Sequence, residues 1–406
     1  MSNNKKLIAF ISIATAIMFQ SYIDLYLPAL PQISDYYHCS DSVIQRSLSF
    51  FLLGTALSCI PIGVLCDACG RRKILIAGLV VLTIGTLISI FTSGINYFLA
   101  SRFLQGIGAG IYVICSAILI DIFEGEELIT YFTYYNIAYS AIPIASPYIG
   151  GLIVHYFEWQ IIFYLLFAVS LFLLIMTLFF VSETLKPQKV KNINSVTKVF
   201  SDIFSILCHK QFLCLTFLAA MSWGGTIAFF TIGSFLFQEI YAVTPYAYGI
   251  IALFLGLIYL MSTVINRKCL ARFSPIVLIK YSIIASFLLS FIFFLSSILG
   301  FNNLYVAIVF IYLLTFSIGF LFINTMTLSL SSFTGNAGLA SSVQATVWIA
   351  FWSILSFVLS VFNYSQITLS SSYLILNAIN LLIIFILMPT IIIPINLTEK
   401  NLSSNH

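Results

Sequence analysis

The stretch GVLCDACGRRK (63–73) lies between two long apolar segments, and INRKCLARF (265–273) lies between two more in the second half of the chain. Both stretches are short, polar and basic, so we interpret each as a turn outside a membrane. The apolar segments beside them hold about 20 residues, enough to cross a hydrocarbon layer of ~30 Å at about 1.5 Å per residue. The recurrence of this pattern predicts a membrane protein built from two similar halves.

The composition supports the same interpretation. Of 406 residues, 61% are hydrophobic and only 7% are charged, whereas about 25% of residues are charged in soluble domains. So few charges exclude a large water-exposed surface, and we predict an all-α integral membrane protein with twelve transmembrane helices in two six-helix halves. The predicted spans are 7–27, 44–66, 74–94, 97–120, 129–153, 159–182, 212–236, 246–266, 276–299, 303–330, 339–363 and 370–394.

A long polar stretch between the sixth and seventh spans divides the chain. We predict an N-terminal six-helix half at 1–182, a linker at 183–211 and a C-terminal half at 212–406. Twelve spans place successive loops on opposite sides of the membrane. With this arrangement, every lysine and arginine except Arg46 and Arg102 falls on one side. Because basic residues are retained on the cytoplasmic side, the linker and both termini are predicted to be cytoplasmic.

Asp24 lies within the first predicted span, in SYIDLYLPALP (21–31). A carboxylate inside a span costs about 2.5–3.5 kcal/mol on insertion scales, so it must face a cavity or a partner. Burial favours the neutral acid and a nearby cation favours the carboxylate, so its affinity for a proton depends on how the cavity opens. We predict that Asp24 carries a coupled proton. The alternative is an interfacial aspartate that caps the break before Pro28.

Arg102 lies near the start of the fourth span, in RFLQGIGAG (102–110). It keeps its proton under all ordinary conditions, so its charge must be solvated within the protein. Arg102, Gln105 and Tyr112 share one face of a continuous helix. We predict that this polar stripe lines the transport cavity. The alternative for Arg102 is a side chain that extends to the outer membrane interface.

The turn after the second span combines a carboxylate with basic residues. Asp67 comes shortly before Arg71, Arg72 and Lys73. Asp67 can pair with the arginines and with helix N-termini, which would form a latch that breaks when the cytoplasmic gate opens. The alternative, which we favour for Lys73, is that these charges only set the topology.

The fifth span contains AIPIASPYIGG (141–151), in which Pro143 and Pro147 lie one turn apart and Gly150 and Gly151 follow. Proline kinks a spanning helix and frees backbone carbonyls, and glycine permits close helix packing. We predict a bending element or a seal between the halves. A kink with a purely structural role is the alternative.

The second half has no charged residue well inside a predicted span, so its candidate substrate contacts are aromatic and amide side chains. With residues of the first half, they would form a large apolar pocket with few polar groups. Taken one at a time, each is explained equally well by ordinary packing. The predicted cavity residues are Tyr22, Gln105, Tyr112, Trp223, Phe230, Phe320 and Asn324.

The chain offers little for enzymatic or metal chemistry. Its eight cysteines and four histidines have no spacing typical of a metal site, and no Ser/His pair lies within the spans. We therefore predict no enzymatic activity, no cofactor and no metal.

These motifs resemble the major facilitator superfamily and, within it, the bicyclomycin-resistance-type drug:proton antiporters of bacteria. The resemblance covers residues 20–185 most specifically. It is carried by Asp24-Leu25-Tyr26-Leu27-Pro28, by Gly63-x-x-x-Asp67-x-x-Gly70-Arg71-Arg72, by Arg102-x-x-Gln105-Gly106 and by Pro143, Pro147, Gly150 and Gly151.

The resemblance implies a major facilitator fold whose halves rock about a central site. It implies that Asp24 takes up a proton from outside as the substrate leaves, and that Arg102 aids this coupling. It also implies a cytoplasmic gate formed by Gly63, Asp67, Gly70, Arg71, Arg72 and Asp121.

We therefore expect a monomeric, multi-pass protein of a bacterial inner membrane that exports small amphipathic or drug-like molecules in exchange for protons. Its expected partners are the lipid bilayer, protons and a small-molecule substrate, with no nucleic acid. One alternative is a dedicated exporter or importer of a single metabolite, such as a siderophore or an amino-acid derivative. Another is a sensor that kept the transporter fold without the transport.

Overall fold

The computed structural model of the chain describes residues 2–185, 196–331, 333 and 337–387, which form helices joined by short turns. The helices of the first half are Ser2–Asp24, Leu30–Tyr36, Asp41–Cys69, Arg71–Phe91, Ile95–Ala109, Tyr112–Ile122, Gly125–Tyr156 and Gln160–Phe180, with a 3₁₀ turn at Leu27–Ala29. The helices that follow are Val196–Cys208, Lys210–Phe235, Pro245–Cys269, Pro275–Ile298, Leu304–Leu330, Ala337–Leu359 and Gln366–Leu387, with a π-helical turn at Leu236–Ile240.

Twelve helical segments of the described residues are long and apolar enough to cross a membrane. This confirms the twelve helices expected from the sequence. We number these segments span 1 to span 12 in chain order. Span 1 (Asn4–Tyr36) and span 4 (Ile95–Ile122) each consist of more than one helix.

Span 1 extends well beyond its predicted bounds, because it continues to Tyr36 rather than ending at residue 27. The predicted end of span 12, at residue 394, lies outside the described residues. The chain leaves the first helix at Asp24 and continues through the 3₁₀ turn into the helix Leu30–Tyr36. Proline lacks a backbone N–H, so it is accepted only in the first turn of a helix. Pro28 and Pro31 occupy such first-turn positions, so they break the span without ending it.

The two ends of the helix bundle differ in charge. One end holds Arg71, Arg72 and Lys73, which begin span 3, and Arg267 and Lys268 in the last turn of span 8. We call this the basic end and the opposite end, where span 1 ends at Tyr36, the far end.

The two halves contact each other mainly through span 2 with span 11 and span 5 with span 8. Hydrogen bonds between the halves lie toward the far end, so the far end is closed. They include Ser49 Oγ to Ser356 Oγ (3.0 Å), Ser353 Oγ to Ser49 O (2.8 Å), Ser234 Oγ to Leu27 O (2.6 Å) and Gln238 Nε2 to Pro28 O (3.1 Å).

The outer surface of the bundle is apolar, as a bilayer requires. Large side chains such as Phe91 and Phe179 are 76% and 77% exposed. Many serine and threonine hydroxyls are buried instead and donate to carbonyls of their own helices, as Thr83 does to Leu79 O at 2.7 Å. Polar groups avoid lipid in this way because unsatisfied ones are costly there.

The predicted linker at 183–211 is partly outside the described residues, at 186–195. Its later part is the amphipathic helix Val196–Cys208, which turns Ile203 and Ile206 toward Val343 of span 11. The boundaries of the two halves stay a prediction.

Candidate functional site

Asp24 is the last residue of the first helix, at the point where span 1 breaks. Its side chain is completely buried. Gln20, one turn earlier, donates from Nε2 to Asp24 Oδ2 at 2.7 Å, while Oδ1 accepts no hydrogen bond within the described part of the chain. A buried carboxyl with a single neutral partner is best accommodated as the uncharged acid.

Asp24 also faces both halves of the protein. Its carboxyl interacts electrostatically with Tyr139 of span 5 and with Tyr248 of span 8. Because Asp24 lies between the two halves, a change in its charge alters the contact between them.

Arg102 is completely buried but forms no ion pair with Asp24. Its Nη2 donates to Tyr22 O at 2.7 Å, and its Nη1 donates to Gln105 Oε1 at 2.5 Å. The guanidinium carbon lies 4.2 Å from the ring centroid of Tyr26 and 4.7 Å from that of Phe51. Because the whole side chain is buried, the alternative of an arginine extending to the interface is wrong.

The bond from Arg102 to Tyr22 O has a specific structural consequence. Tyr22 contributes one of the last four carbonyls of the helix that ends at Asp24, and such carbonyls have no donor within their own helix. A positive charge there is also favoured by the helix dipole. Arg102 therefore fixes the end of the helix that carries Asp24, rather than pairing with its carboxyl.

Two predicted cavity residues, Tyr22 and Gln105, lie in the packed interior of the first half. Gln105 Nε2 donates to Ser89 Oγ at 2.5 Å and to Gly85 O at 3.2 Å. The hydroxyls of Tyr22 and Thr86 share a hydrogen bond of 2.6 Å. Both predicted residues connect spans 1, 3 and 4 and hold Arg102 in place.

Aromatic side chains of both halves come together between Asp24 and the basic end. We call Tyr112, Tyr135, Tyr139, Trp223 and Tyr259 the central aromatic cluster; all five are partly exposed. The ring centroids of Tyr135 and Tyr139 are 5.9 Å apart, and those of Trp223 and Tyr259 are 5.0 Å apart. Tyr139 and Tyr259, from opposite halves, lie within Coulombic range of each other. This cluster is suited to contact an apolar or aromatic molecule.

Of the predicted cavity residues, Tyr112 and Trp223 belong to the central aromatic cluster, and the others have different neighbours. Phe320 is partly exposed and packs on Phe316, with ring centroids 5.5 Å apart. Phe230 is buried. Asn324 is buried and donates to Asn266 Oδ1 at 2.8 Å, which joins spans 8 and 10 within the second half.

The predicted gate residues lie together at the basic end. Arg71 pairs through Nη1 with Asp67 Oδ1 at 2.8 Å and through Nε with Asp121 Oδ2 at 3.1 Å. These ion pairs connect spans 2, 3 and 4 of the first half. Gly63 faces the second half, because a Cβ at this position would lie 3.5 Å from Ser342 Oγ of span 11.

Glu183 completes this group, although its role was not predicted. Its carboxylate accepts from the backbone N–H of Arg71 at 2.8 Å and of Arg72 at 3.3 Å, which caps the N-terminus of span 3. Gly70, just before this helix, has a φ of 101°, and a Cβ there would overlap the Glu183 carboxylate. Glycine is therefore required at position 70. Arg72 also donates from Nη2 to Leu178 O at 2.8 Å.

Span 5 remains a single helix, Gly125–Tyr156, through both Pro143 and Pro147. Its two glycines face different neighbours. A Cβ at Gly150 would overlap Leu25 O of span 1, and a Cβ at Gly151 would lie 2.6 Å from Pro245 O of span 8. Span 5 therefore contacts the backbone of both spans just beside Asp24.

The far end has its own polar contact. Tyr364, in the turn before span 12, donates its hydroxyl to Glu239 Oε2 at 2.6 Å. The hydrogen bond to Glu239, with burial, raises the pKa of Tyr364, so Tyr364 stays a donor.

Sequence analysis missed several residues of this site, among them Gln20, Tyr139, Glu183 and Tyr248. Gln20 had a recognisable signal, because residues four apart share a helix face. The other three reach the site from distant parts of the chain, and no local pattern marks them.

Twelve apolar helices in two halves that meet around a buried carboxyl define a multi-pass membrane transporter. The family model of the Major Facilitator Superfamily matches residues 8–357, and the chain belongs to this superfamily. Its members are transporters of small molecules rather than enzymes.

The relatives are bacterial proteins of modest identity. The chain is 28% identical over 357 residues to the uncharacterized MFS-type transporter YdgK of Bacillus subtilis, a match that covers 86% of this chain and 87% of that protein. It is 27% identical over 269 residues to a bicyclomycin resistance protein homolog of Haemophilus influenzae, covering 66% and 67%. It is 33% identical over 174 residues to the multidrug resistance protein MdtL of Salmonella paratyphi C, covering 43% and 44%. These matches confirm the family resemblance.

Solved structures confirm the fold. The xylose transporter XylE of E. coli, in a partially occluded inward-open conformation, superposes with a TM-score of 0.68 at 15% identity, covering 96% of this chain and 98% of that one. The human organic anion transporter MFSD10 superposes with a TM-score of 0.66 at 15% identity, covering 94% and 99%.

Proposed function

We propose that this transporter exports small amphipathic or drug-like molecules in exchange for protons by alternating access. The observation that carries the proposal is the complete burial of Asp24 between the halves with Gln20 as its hydrogen-bond partner. A carboxyl held in this way can bind a proton and release it when the surrounding cavity is hydrated. The relatives named as bicyclomycin and multidrug resistance proteins support export of such molecules.

In the proposed cycle, the basic end opens and the substrate enters the space beside the central aromatic cluster. Asp24 then loses its proton to this side. The halves rock, the contacts at the far end separate, and the substrate leaves there. Asp24 takes up a proton from the far side, and the proton-loaded carrier returns. Each turn moves a proton inward and a substrate outward.

Arg102 supports this cycle without taking or giving a proton. By holding Tyr22 O, it fixes the helix end at which Asp24 lies. The carboxyl therefore stays at the same place relative to span 4 while the halves move. Pre-organisation of this kind is what a coupled site needs.

The proposal includes the topology. The basic end, with both termini, faces the cytoplasm of a bacterial cell, and the protein works as a monomer in the inner membrane. The moving halves correspond to residues 1–182 and 212–406. The ion pairs of Asp67, Arg71 and Asp121, with the Glu183 cap, brace the first half as the cytoplasmic gate opens.

Uptake by purified protein in liposomes tests the proposal. With an inside-acid pH gradient, fluorescent lipophilic cations and bicyclomycin are expected to accumulate inside through carriers whose basic end faces outward. A protonophore should abolish the accumulation. If none of the panel accumulates while the gradient is intact, drug export is wrong. A dedicated metabolite carrier then replaces it, to be tested with compounds that the source cell secretes.

A further inference from the structure

Tyr248 is a buried tyrosine whose hydroxyl has no assigned role. It lies in the first turn of span 8, and its side chain is completely buried. Its ring packs against Phe229 and Phe237 of span 7, with ring centroids 5.8 and 6.1 Å apart. The hydroxyl makes no hydrogen bond to any described residue. A buried hydroxyl without a partner is unfavourable, so its position here calls for a reason.

Asp24 Oδ1, in the opposite half, is a buried acceptor that also lacks a hydrogen-bond partner among the described residues. Close backbone contacts bring the two residues together. Leu25 O, next to Asp24, touches Gly150, and the neighbouring Gly151 touches Gly249, next to Tyr248. The Tyr248 hydroxyl lies within Coulombic range of the Asp24 carboxyl. The Tyr248 hydroxyl and Asp24 Oδ1, which both lack partners among the described residues, therefore lie beside the same contact between the halves.

We propose that Tyr248 is a positioning residue for Asp24. When Asp24 releases its proton to water on the basic side, its carboxylate accepts a hydrogen bond from the Tyr248 hydroxyl, which keeps its own proton. This inference rests on the proposed function, because it assumes that Asp24 loses a proton during transport.

The bond joins opposite halves, so it forms only while the far end is closed. An ionised Asp24 therefore stabilises the closed far end by linkage. Tyr139 lies near Asp24 as well, but it belongs to the same half and cannot hold the halves together. In an empty carrier that has lost its proton, Tyr248 thus opposes reopening to the far side. Substrate, with its own contacts to both halves, overcomes this restraint.

The expected result of losing this bond is a proton leak. Without the hydroxyl, the empty, deprotonated carrier returns to the far side and carries protons inward with no substrate. In proteoliposomes with an entrapped pH dye and an imposed gradient, Tyr248→Phe should dissipate the gradient at least about tenfold faster than wild type. This factor corresponds to the loss of one hydrogen bond to a charged group. Addition of Asp24→Asn to the same protein should abolish the leak.

Tyr373 provides a matched control. It is 1% exposed, its hydroxyl also lacks a hydrogen bond to the described residues, and it lies in span 12 of the second half. Tyr373→Phe should leave the leak at the wild-type rate. A leak in Tyr248→Phe no faster than in Tyr373→Phe, or one that persists with Asp24→Asn, would overturn the inference. If Tyr248→Phe does not reach the membrane, Tyr248→Leu, which also lacks the hydroxyl, takes its place.

The same assay separates this inference from the proposed function. If Asp24→Asn alone leaves substrate-driven proton movement intact, the proposed function is wrong whatever Tyr248→Phe does. If Asp24→Asn abolishes that movement and Tyr248→Phe shows no leak, only the role of Tyr248 is wrong.

Discussion

Asp24 and Arg102 are both fully buried, yet the protein accommodates their charges differently. Asp24 has Gln20 as its hydrogen-bond partner, which suits a group that gains and loses a proton. Arg102 keeps its charge, and it is solvated by a carbonyl, an amide and two aromatic rings. The first arrangement permits a change of charge, and the second stabilises a permanent one.

Arg102→Lys tests whether this solvation requires a guanidinium. A lysine ammonium is a compact charge that cannot stack on Tyr26 and Phe51 while donating to both Tyr22 O and Gln105. We expect a loss of about 2 kcal/mol of stability and about tenfold slower exchange. Thermal unfolding in detergent and exchange in proteoliposomes measure these effects. Arg267→Lys, at an exposed position in span 8, is the control, and equal behaviour of the two variants would contradict this role.

The surroundings of Asp24 and Arg102 could be predicted from the sequence only in part. A charge within an apolar run points to a functional position in a membrane protein, so the sequence singles out both residues. The sequence did not predict that Asp24 and Arg102 form no ion pair, because the distance between side chains of different spans depends on how the spans pack. Arg102 and Gln105 share a helix face as predicted, but Tyr112 begins a new helix after the break at Gly110. The predicted continuous stripe therefore ends at that break.

The helix ends at the basic end depend on side chains from distant spans. Hydropathy predicted the number of spans, since each apolar run must cover the membrane thickness. It could not predict that Glu183, after span 6, caps the N-terminus of span 3. That contact joins residues more than a hundred positions apart, at 2.8 Å between Glu183 Oε1 and Arg71 N.

Glu183→Gln should weaken this cap. The amide keeps an acceptor oxygen but loses the charge that the N-terminal dipole of span 3 favours. We expect about 1 kcal/mol of lost stability, seen as a lower midpoint of thermal unfolding. The control is Glu126→Gln, because Glu126 is an exposed acid in the first turn of span 5. If both variants lose the same stability, the hydrogen bonds of Glu183 contribute nothing beyond the dipole.

The contacts at the far end concern the molecule as a whole. Spans 1, 2, 7 and 11 join the halves there through hydrogen bonds, and alternating access requires these bonds to break in each cycle. Sequence analysis predicted two halves but not which end is closed, because closure depends on contacts between spans from opposite halves.

A disulfide between the halves should stop transport. Ser49 Oγ and Ser356 Oγ are 3.0 Å apart, so Ser49→Cys with Ser356→Cys is placed to form one on oxidation. We expect substrate accumulation to fall to background after oxidation and to recover after reduction. Each single cysteine variant, treated in the same way, controls for the native cysteines. Full transport by the cross-linked protein would show that the far end need not open.

Proton exchange by Asp24 is tested most directly by the pH change that substrate causes in everted membrane vesicles. The respiratory chain first acidifies the lumen, and a panel of unrelated amphipathic drugs is then added to vesicles with wild type or Asp24→Asn. We predict that several drugs release lumenal protons through the wild type and none through the variant. Equal proton release by both would contradict the role of Asp24, and no release from either would contradict drug:proton exchange.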